Sequence, residues 1–263
     1  MLKIKDIWFP LFVIGLVSLL NYMTETFPVN FGKNSDYGDL KVLCYNVHSL
    51  NPSFDQNQLG IADRILKESP DIVFLSEYYP SRSEKLDSIL TKEYGRYYKP
   101  RSFGVFYSKY EMDSITEMFP EWYRKSSSQT IKAHVFRGKD TLTIIGCHLS
   151  SSHHRILEGY KRRKKEADTL YEHIRKEHYP VIVMGDLNDV PGSYTLYKIK
   201  KAGLSNAWWE GGCGYGVTFH DGLLRLRLDH ILYPKDKLKL QNIKVLDSNL
   251  SDHNALVANF SFR

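Results

Sequence analysis

The chain has 263 residues, of which 42% are hydrophobic and 25% are charged, and its formal net charge is +6. This composition excludes a wholly disordered chain, and the length is sufficient for one large α/β domain with a well-buried core. The positive charge suits an anionic partner such as nucleic acid, a phosphorylated solute or an anionic lipid surface, although solubility explains it equally well.

The amino-terminal region differs from the rest of the chain. Residues 7–20 carry no charge, follow Lys3 and Lys5, and are extended by three further uncharged residues to Met23. An apolar run of about 17 residues is the lower limit for crossing a bilayer and exceeds most signal-peptide cores. We therefore predict that residues 1–23 form one N-terminal transmembrane helix, an uncleaved anchor that leaves the bulk of the chain outside the cytoplasm. A cleaved signal segment and a buried core helix are the alternatives.

The remainder is predicted to contain a linker and one domain. Residues 24–39 are polar with scattered Gly and Pro, which is typical of a linker. Residues 40–263 have a globular pattern, and no later stretch has the composition of a domain boundary. We therefore predict one catalytic or binding domain after the linker.

Two stretches of this domain, residues 41–77 and 141–186, have the same order of features. In each, an apolar strand ends in polar residues, an amphipathic helix follows, a proline ends the helix, and a second apolar strand ends in a carboxylate. Alternating strands and amphipathic helices predict an α/β layered domain. If the strand ends of the two halves meet, their polar residues converge on one site: Asn46, Glu77, His148 and Asp186.

The stretch VIVMGDLNDVPGS, residues 181–193, places oxygen-bearing side chains at the exit of an apolar strand. Asp186 and Asn188 are two residues apart, a spacing that puts both on the same side of an extended segment. Such ligands suit Mg²⁺ or Mn²⁺, which prefer carboxylate oxygens and retain waters for a substrate phosphate. An Asx turn that only organises the loop is the alternative.

Histidines provide the second group of candidate catalytic residues. His148 ends an apolar strand, where a core role is the alternative to a functional one. His253 follows Asp252 near the carboxyl end, and Asp229 on the preceding strand is the candidate carboxylate that orients it.

Residues 161–165, KRRKK, form the strongest charge run. If helical, they begin the helix that continues to residue 174. A solvated helix start explains them, although cations near a helix amino end oppose its dipole, and that conflict keeps a phosphate- or membrane-facing role open.

Taken together, these residues resemble the motifs of the endonuclease/exonuclease/phosphatase superfamily, which includes deoxyribonuclease I. The resemblance extends from about Leu40 to Phe262, and six motifs occur in the family's order. They are Tyr45-Asn46-Val47, Leu75-Ser76-Glu77, Cys147-His148-Leu149, Gly185-Asp186-Leu187-Asn188, Leu228-Asp229-His230 and Ser251-Asp252-His253.

The resemblance implies a four-layer α/β sandwich in which two packed mixed β-sheets are flanked by helices, with the site at one end of the sheets. It also implies a metal site for Mg²⁺ or Mn²⁺. In that site Glu77 is the principal ligand, Asn46 lies near the metal and the phosphate, and Asp186 and Asp252 are further metal-side carboxylates.

The remaining roles implied by the resemblance concern the phosphate and the attacking water. Asp186 orients or deprotonates the water, and His148 stabilises the pentacovalent phosphorus. Asn188 contacts the phosphate, as does His253, which Asp229 holds. The chain departs from the family at His230, where Tyr is common, and we expect this histidine to add a titratable group close to the site.

These inferences predict a monomeric, metal-dependent phosphoesterase that attacks a phosphodiester or phosphomonoester bond with an activated water, a nuclease-like hydrolase outside the cytoplasm. The expected partners are a phosphorylated substrate, nucleic acid or phospholipid, and the membrane that holds the anchor. A phospholipid phosphodiesterase of the sphingomyelinase type and a non-catalytic binding module with the same fold are the alternatives.

Overall fold

The computed structural model describes residues 4–30, 38–97, 103–119, 129–152 and 156–263, with side chains from residue 11 onward. The helices are α1 (Ile4–Thr26), α2 (Phe54–Glu68), α3 (Glu84–Leu90), α4 (Ile156–Lys176), α5 (Tyr194–Lys201) and α6 (Ala207–Gly211), with a 3-10 turn at Pro80–Arg82. The first seven strands are β1 (Leu40–Asn46), β2 (Ile72–Ser76), β3 (Gly95–Tyr97), β4 (Gly104–Ser108), β5 (Glu111–Glu117), β6 (Gln129–Arg137) and β7 (Asp140–His148). The last seven are β8 (Val181–Asp186), β9 (Ser205–Asn206), β10 (Phe219–Asp221), β11 (Leu224–Leu226), β12 (Asp229–Tyr233), β13 (Leu238–Leu246) and β14 (Ala255–Phe262).

The strands form two six-stranded mixed sheets and one small hairpin. The first sheet has the order β13-β14-β1-β2-β4-β3, and the second has the order β5-β6-β7-β8-β12-β9. In each sheet one central pair is parallel, β1 with β2 and β7 with β8. These parallel pairs are the strand pairs of the two similar stretches in the sequence, and the prediction of two packed mixed sheets is confirmed.

Three apolar clusters explain the layering. Side chains from both sheets share a central cluster, in which Val42 and Phe74 meet Ile144 and Met184. A second cluster joins the outer face of the first sheet to α2 and α3, and a third joins the outer face of the second sheet to α4 and α5. All five residues of β2 are buried, as expected for a strand covered on both faces. Helices therefore cover both outer faces of the sheet pair.

Phe74 of β2 packs directly against the backbone of β7 at Gly146. A Cβ atom added to Gly146 would lie 2.3 Å from Cδ2 of Phe74, which is closer than any side chain tolerates. Gly146 therefore lets the Phe74 ring of the first sheet lie against the backbone of the second. This close contact lies two residues from His148, next to the end of β7.

The amino-terminal residues form a helix, as predicted, but the prediction of a transmembrane helix is not confirmed. Within the described residues, no helix is long and apolar enough to cross a membrane. The apolar run is interrupted at the polar residue Asn21, and Glu25 lies in the last turn of α1. The alternative of a buried core helix is also wrong, because Leu11, Ile14 and others on α1 are more than half exposed.

The described part of the predicted linker lies against the domain. The Arg227 guanidinium donates to the backbone oxygen of Glu25 at 2.9 Å, and the Phe27 ring lies 5.4 Å from the Tyr215 ring. Residues 31–37 of the linker lie outside the described residues.

Candidate active site

Strand register brings the predicted site residues together within each sheet. In the first sheet Asn46 pairs with Ser76, so Asn46 lies beside Glu77. In the second sheet Asp186 pairs with His148 on one side and with Asp229 on the other. Each sheet therefore presents a row of polar groups at the same end.

The two rows contact each other across the sheet interface. The side-chain amide of Asn46 donates to Glu77 Oε1 at 3.0 Å and to Asp186 Oδ2 at 3.1 Å. His148 Nε2 lies 3.4 Å from Glu77 Oε1 and 3.8 Å from Asp186 Oδ2. The structure thus brings together the four residues whose convergence the sequence predicted.

The backbone is strained where the strands leave the sheets. His48, Glu77 and Asn188 have positive φ angles of 46°, 52° and 49°, a conformation that costs a non-glycine residue about 1 kcal/mol. Such strain persists where surrounding bonds fix it, and it clusters at functional sites. It directs Glu77 toward the second sheet, where its side chain remains 25% exposed.

The turn after β8 holds Asp186 firmly. Asp186 Oδ1 accepts from the Asn188 backbone N–H at 2.8 Å, so the Asx turn exists alongside the predicted site. The Asn188 amide donates to the backbone oxygen of Leu149 at 2.9 Å, which links this turn to the loop after β7. Gly185 has φ +128°, and a Cβ there would lie 2.2 Å from the Cys147 oxygen, so only glycine fits before Asp186.

Asp186 is a buried carboxylate with neighbours from both sheets, and 1% of its surface is exposed. Burial raises its pKa, and His253 opposes this effect while Asp229 adds to it. A buried carboxylate with a raised pKa is a stronger base than an exposed one. This property suits proton transfer from a water molecule.

His253 is oriented by Asp229, as predicted. The two side chains share a hydrogen bond of 2.7 Å between Nδ1 and Oδ2, and His253 Nε2 lies 3.7 Å from Asp186 Oδ2. Burial disfavours the charged imidazole, but Asp229 and Asp186 outweigh it and raise the pKa of His253 to about 10. At neutral pH His253 is therefore an imidazolium whose Nε2–H points toward Asp186.

Asp252 forms a second His–Asp pair that the sequence reasoning missed. Its Oδ2 lies 2.9 Å from Nδ1 of His48, on the loop after β1. The contact with Asp252 raises the pKa of His48. Burial acts to raise the pKa of Asp252, but His48, His253 and Ser251 together outweigh it, and the pKa of Asp252 is lowered. The only sequence signal was the position of His48 two residues after Asn46.

Helix α4 supports the loop after β7. Glu166 accepts from the Ser150 backbone N–H at 2.9 Å and from its hydroxyl at 2.6 Å. Arg163 donates to the Ser150 backbone oxygen at 2.7 Å, and Lys164 contacts Asp168 at 3.3 Å. The basic run therefore divides between a buried structural arginine and a solvated ion pair. It also lies after the first turn of α4, which begins at Ile156, and does not open the helix as predicted.

His230 does not add a titratable group in the neutral range, which corrects the expectation from the sequence. Its ring is 1% exposed and lies between the Asn206 amide, 3.1 Å from Nδ1, and the Asp189 backbone oxygen, 3.0 Å from Nε2. Burial and the nearby Arg227 lower its pKa to about 3. The neutral ring accepts at Nδ1, donates at Nε2, and so holds the loop that carries Asp189.

The carboxylates of Glu77 and Asp186 supply the hard oxygen donors that a divalent cation prefers. Within the described residues there is no group of three or more His, Cys, Asp or Glu side chains placed to hold a metal ion. Mg²⁺ commonly binds through one or two carboxylates together with water and substrate phosphate, so the pair fits such an ion. The Asn46 oxygen accepts from His48 N–H at 3.1 Å, and Asp252 contacts His48, so their predicted ligand roles stay predictions.

Two packed mixed sheets, flanked by helices and carrying carboxylates and histidines at one end, define an α/β sandwich protein with a polar site at its sheet edge. The model of the endonuclease/exonuclease/phosphatase family matches residues 43–253, and the chain belongs to this family. A comparison with curated proteins found no match.

Solved structures share the fold at low sequence identity. A Danio rerio TDP2 complexed with a single-strand DNA product is 17% identical, with a TM-score of 0.71 over 84% of this chain and 98% of that one. The human nocturnin catalytic domain with bound sulfate is 18% identical, with a TM-score of 0.67 over 85% and 94%. A beta toxin from Staphylococcus aureus is 17% identical, with a TM-score of 0.64 over 84% and 99%.

Proposed function

We propose that the protein is a metal-dependent phosphoesterase, a nuclease-like hydrolase that cleaves a phosphodiester or phosphomonoester bond by attack of an activated water. The observation that carries this proposal is the position of Asp186. This buried carboxylate lies within 4 Å of two imidazoles, His148 and His253, and shares the Asn46 amide with Glu77. A candidate base, two imidazoles and an amide donor are thus grouped around Asp186 Oδ2.

Asp186 is the proposed base for the attacking water. Its Oδ1 is occupied by the Asn188 backbone N–H, whereas Oδ2 faces the opposing sheet and the two histidines. Because burial raises its pKa, the carboxylate accepts a proton more readily than an exposed aspartate does.

His253 is the proposed counter-charge for the phosphate. The hydrogen bond to Asp229 fixes its ring, and the charged Nε2–H is too far from Asp186, at 3.7 Å, for a strong hydrogen bond. This N–H is therefore suited to a non-bridging phosphate oxygen, on which negative charge develops during hydrolysis. His148 Nε2 lies 3.8 Å from the same Asp186 oxygen and is the second imidazole proposed to contact the phosphate.

Glu77 and Asp186 would hold the Mg²⁺ or Mn²⁺ ion. When bound, such an ion polarises the phosphoryl group and lowers the pKa of coordinated water.

The proposed substrate class is nucleic acid, with phospholipid as the second candidate. The net charge of +6 and the DNA product bound to the structurally similar TDP2 support nucleic acid. A phospholipid phosphodiesterase of the sphingomyelinase type is the second candidate, because the exposed apolar side chains of α1, such as Leu11 and Phe12, suit contact with lipid. The location outside the cytoplasm and the monomeric state stay predictions.

The test uses the full chain with plasmid DNA, RNA, sphingomyelin vesicles and bis-p-nitrophenyl phosphate, each with Mg²⁺ or with EDTA. We expect metal-dependent release from at least one substrate and a large loss in Glu77→Gln, with Glu111→Gln, at an exposed position of β5, as the matched control. DNA binding that weakens steeply with salt supports the nuclease, and a flat salt response with lipid turnover supports the second candidate. If none of the four substrates is hydrolysed, and Glu77→Gln binds the DNA, the RNA or the vesicles as tightly as the wild type does, the result supports a binding module instead.

A further inference from the structure

A cavity of about 180 Å³ opens beside the candidate active site. Its walls come from the loop after β1, the start of α2, the hairpin strand β10 and the loop before β14. Three of its residues connect it to the site: His48 lies two residues after Asn46, Asp252 precedes His253, and Ser251 donates to the Asn46 backbone oxygen at 2.9 Å.

The hairpin wall is fixed to the site as well. The backbone N–H of His220 donates to the Asp252 oxygen at 2.9 Å, and the neighbouring Phe219 ring lies 5.0 Å from the His253 ring. A group bound between His48 and His220 would therefore lie next to a phosphate held by His253. The cavity is a neighbouring subsite of the same site.

The described lining residues offer a charged ligand no lysine or arginine side chain. The lining carboxylate, Asp252, is already paired with His48. A second phosphate would find no permanently charged partner there. The remaining polar lining consists of uncharged amides and hydroxyls such as Asn51, Asn57 and Asn249.

The volume of the cavity and its apolar side further limit the class of ligand that it can bind. Ligand pockets for drug-sized molecules have volumes of roughly 300–1,000 Å³, so this smaller cavity suits one ring and not an acyl chain. Phe54 and Leu250 give it an apolar side, against which the CH face of a ring can pack. Amides and imidazoles on the rim suit hydroxyl groups as hydrogen-bond partners.

We infer that the cavity between His48 and His220 binds an uncharged, hydroxyl-bearing ring, the sugar or cyclitol attached to the scissile phosphate. His48, held by Asp252, and His220 are the specificity-determining residues, and they act by hydrogen bonding to ring hydroxyls. This inference rests on the proposed phosphoester hydrolysis and names the substrate group that the site selects.

The test compares three p-nitrophenyl phosphodiesters with the full chain and Mg²⁺: the thymidine 5′ ester, the myo-inositol ester and the methyl ester. We expect at least one ring-bearing ester to exceed the methyl ester in kcat/KM by about tenfold or more, because a site built to bind hydroxyls rejects a substrate without them. The preferred ester distinguishes a nucleoside from a cyclitol source.

Two variants test whether the cavity causes the preference. Asn249→Trp fills its exposed rim and His220→Ala removes one wall, and both should bring the kcat/KM ratio close to one through a higher KM. His178→Ala is the matched control, since His178 is exposed near the start of β8, at the opposite end of that strand from Asp186, and should preserve the ratio. A wild-type ratio near one, or a ratio that both cavity variants leave unchanged, overturns the inference while hydrolysis stands.

If the protein does not hydrolyse phosphoesters, the cavity can still be tested by measuring ligand binding. If no ester is hydrolysed, saturation-transfer NMR with thymidine and myo-inositol measures ring binding directly. Binding that Asn249→Trp abolishes and His178→Ala retains supports the cavity without catalysis. Absent binding, or binding that Asn249→Trp leaves intact, overturns the inference as well.

Discussion

His253 and His230 are both almost fully buried, they lie on either side of Asp229, and they have opposite charge states. Asp229 bonds to the His253 ring, whereas His230, the next residue along β12, points to the opposite face of the strand. There it meets an amide, a backbone oxygen and the positive Arg227. One pKa rises to about 10 and the other falls to about 3.

Burial acts on both histidines in the same direction, because it disfavours the charged ring in each case. The difference therefore comes from the charged neighbours: Asp229 and Asp186 raise the pKa of His253, whereas Arg227 lowers the pKa of His230. The charged ring is placed where a phosphate would bind, and the neutral ring holds the backbone of the loop after β8. Substitutions and pH titrations at these residues test the origin of the difference in charge.

Removing the charge of Asp229 should have the largest effect. Asp229→Asn keeps the side-chain volume but leaves His253 without its main counter-charge, so its pKa should fall well below 10. We expect kcat to fall by about 10²–10³-fold, the effect of losing one preorganised charge at the reacting phosphate. Steady-state kinetics and an NMR titration of His253 measure both effects.

Asp236→Asn, at an exposed position between β12 and β13, is the control and should change neither quantity. A wild-type kcat in Asp229→Asn, with a lowered His253 pKa, would show that the imidazolium has no role in turnover.

Alkaline pH should weaken the fold through His253. Its folded pKa of about 10 lies above its ordinary value of 6.5, so the folded state binds the extra proton between these values. The resulting stabilisation is present below pH 6.5 and is lost as pH rises through about 10, a change on the order of 5 kcal/mol. Urea unfolding of wild type and His253→Gln across this range should give curves that converge at high pH. Parallel curves would contradict the assignment of charge to His253.

His230 should produce the opposite pH dependence. Its folded pKa of about 3 lies below 6.5, so the unfolded state binds more protons between these values and stability falls with decreasing pH. His230→Phe should cost about 1–3 kcal/mol at neutral pH, because it leaves the Asn206 amide without its partner. Below pH 6.5 this cost should shrink, since the variant has no ring to protonate; His178→Phe is the exposed control. A cost that stays constant with pH would count against a neutral His230.

The partly exposed pair of His48 and Asp252 should show the smallest effect. The same pairing of imidazole and carboxylate is screened by water here, with about a third of each side chain exposed. His48→Asn keeps a residue that tolerates positive φ and should lower the free energy of unfolding by less than about 1 kcal/mol, with less effect at high salt. A larger, salt-independent loss would show that solvent exposure does not explain the contrast with His253.

Much of the site could be predicted because it depends on strand ends. Apolar strands that end in Asn46, Glu77, His148 and Asp186 are visible in the sequence, and parallel pairing places their ends at one edge. The convergence of the two halves follows from the repeated order of elements.

The remainder depends on neighbours that are distant in the chain. His48 meets Asp252 across 204 positions, and the charge state of His230 depends on the burial of its ring and on Asn206 and Asp189. The transmembrane prediction rested on an apolar run and the lysines that precede it, and the polar residues at the end of α1 limit the length of that run.

The most direct test of the central claim is the turnover of bis-p-nitrophenyl phosphate by Asp186→Asn at saturating Mg²⁺. This change keeps the shape of the side chain at the centre of the site but removes the base. We predict a fall in kcat of about 10³-fold or more in a variant that remains folded, as shown by a cooperative thermal unfolding transition, because base catalysis and charge organisation are lost together. A folded Asp186→Asn variant that turns over at the wild-type rate would contradict the claim that the strand ends around Asp186 form the catalytic site.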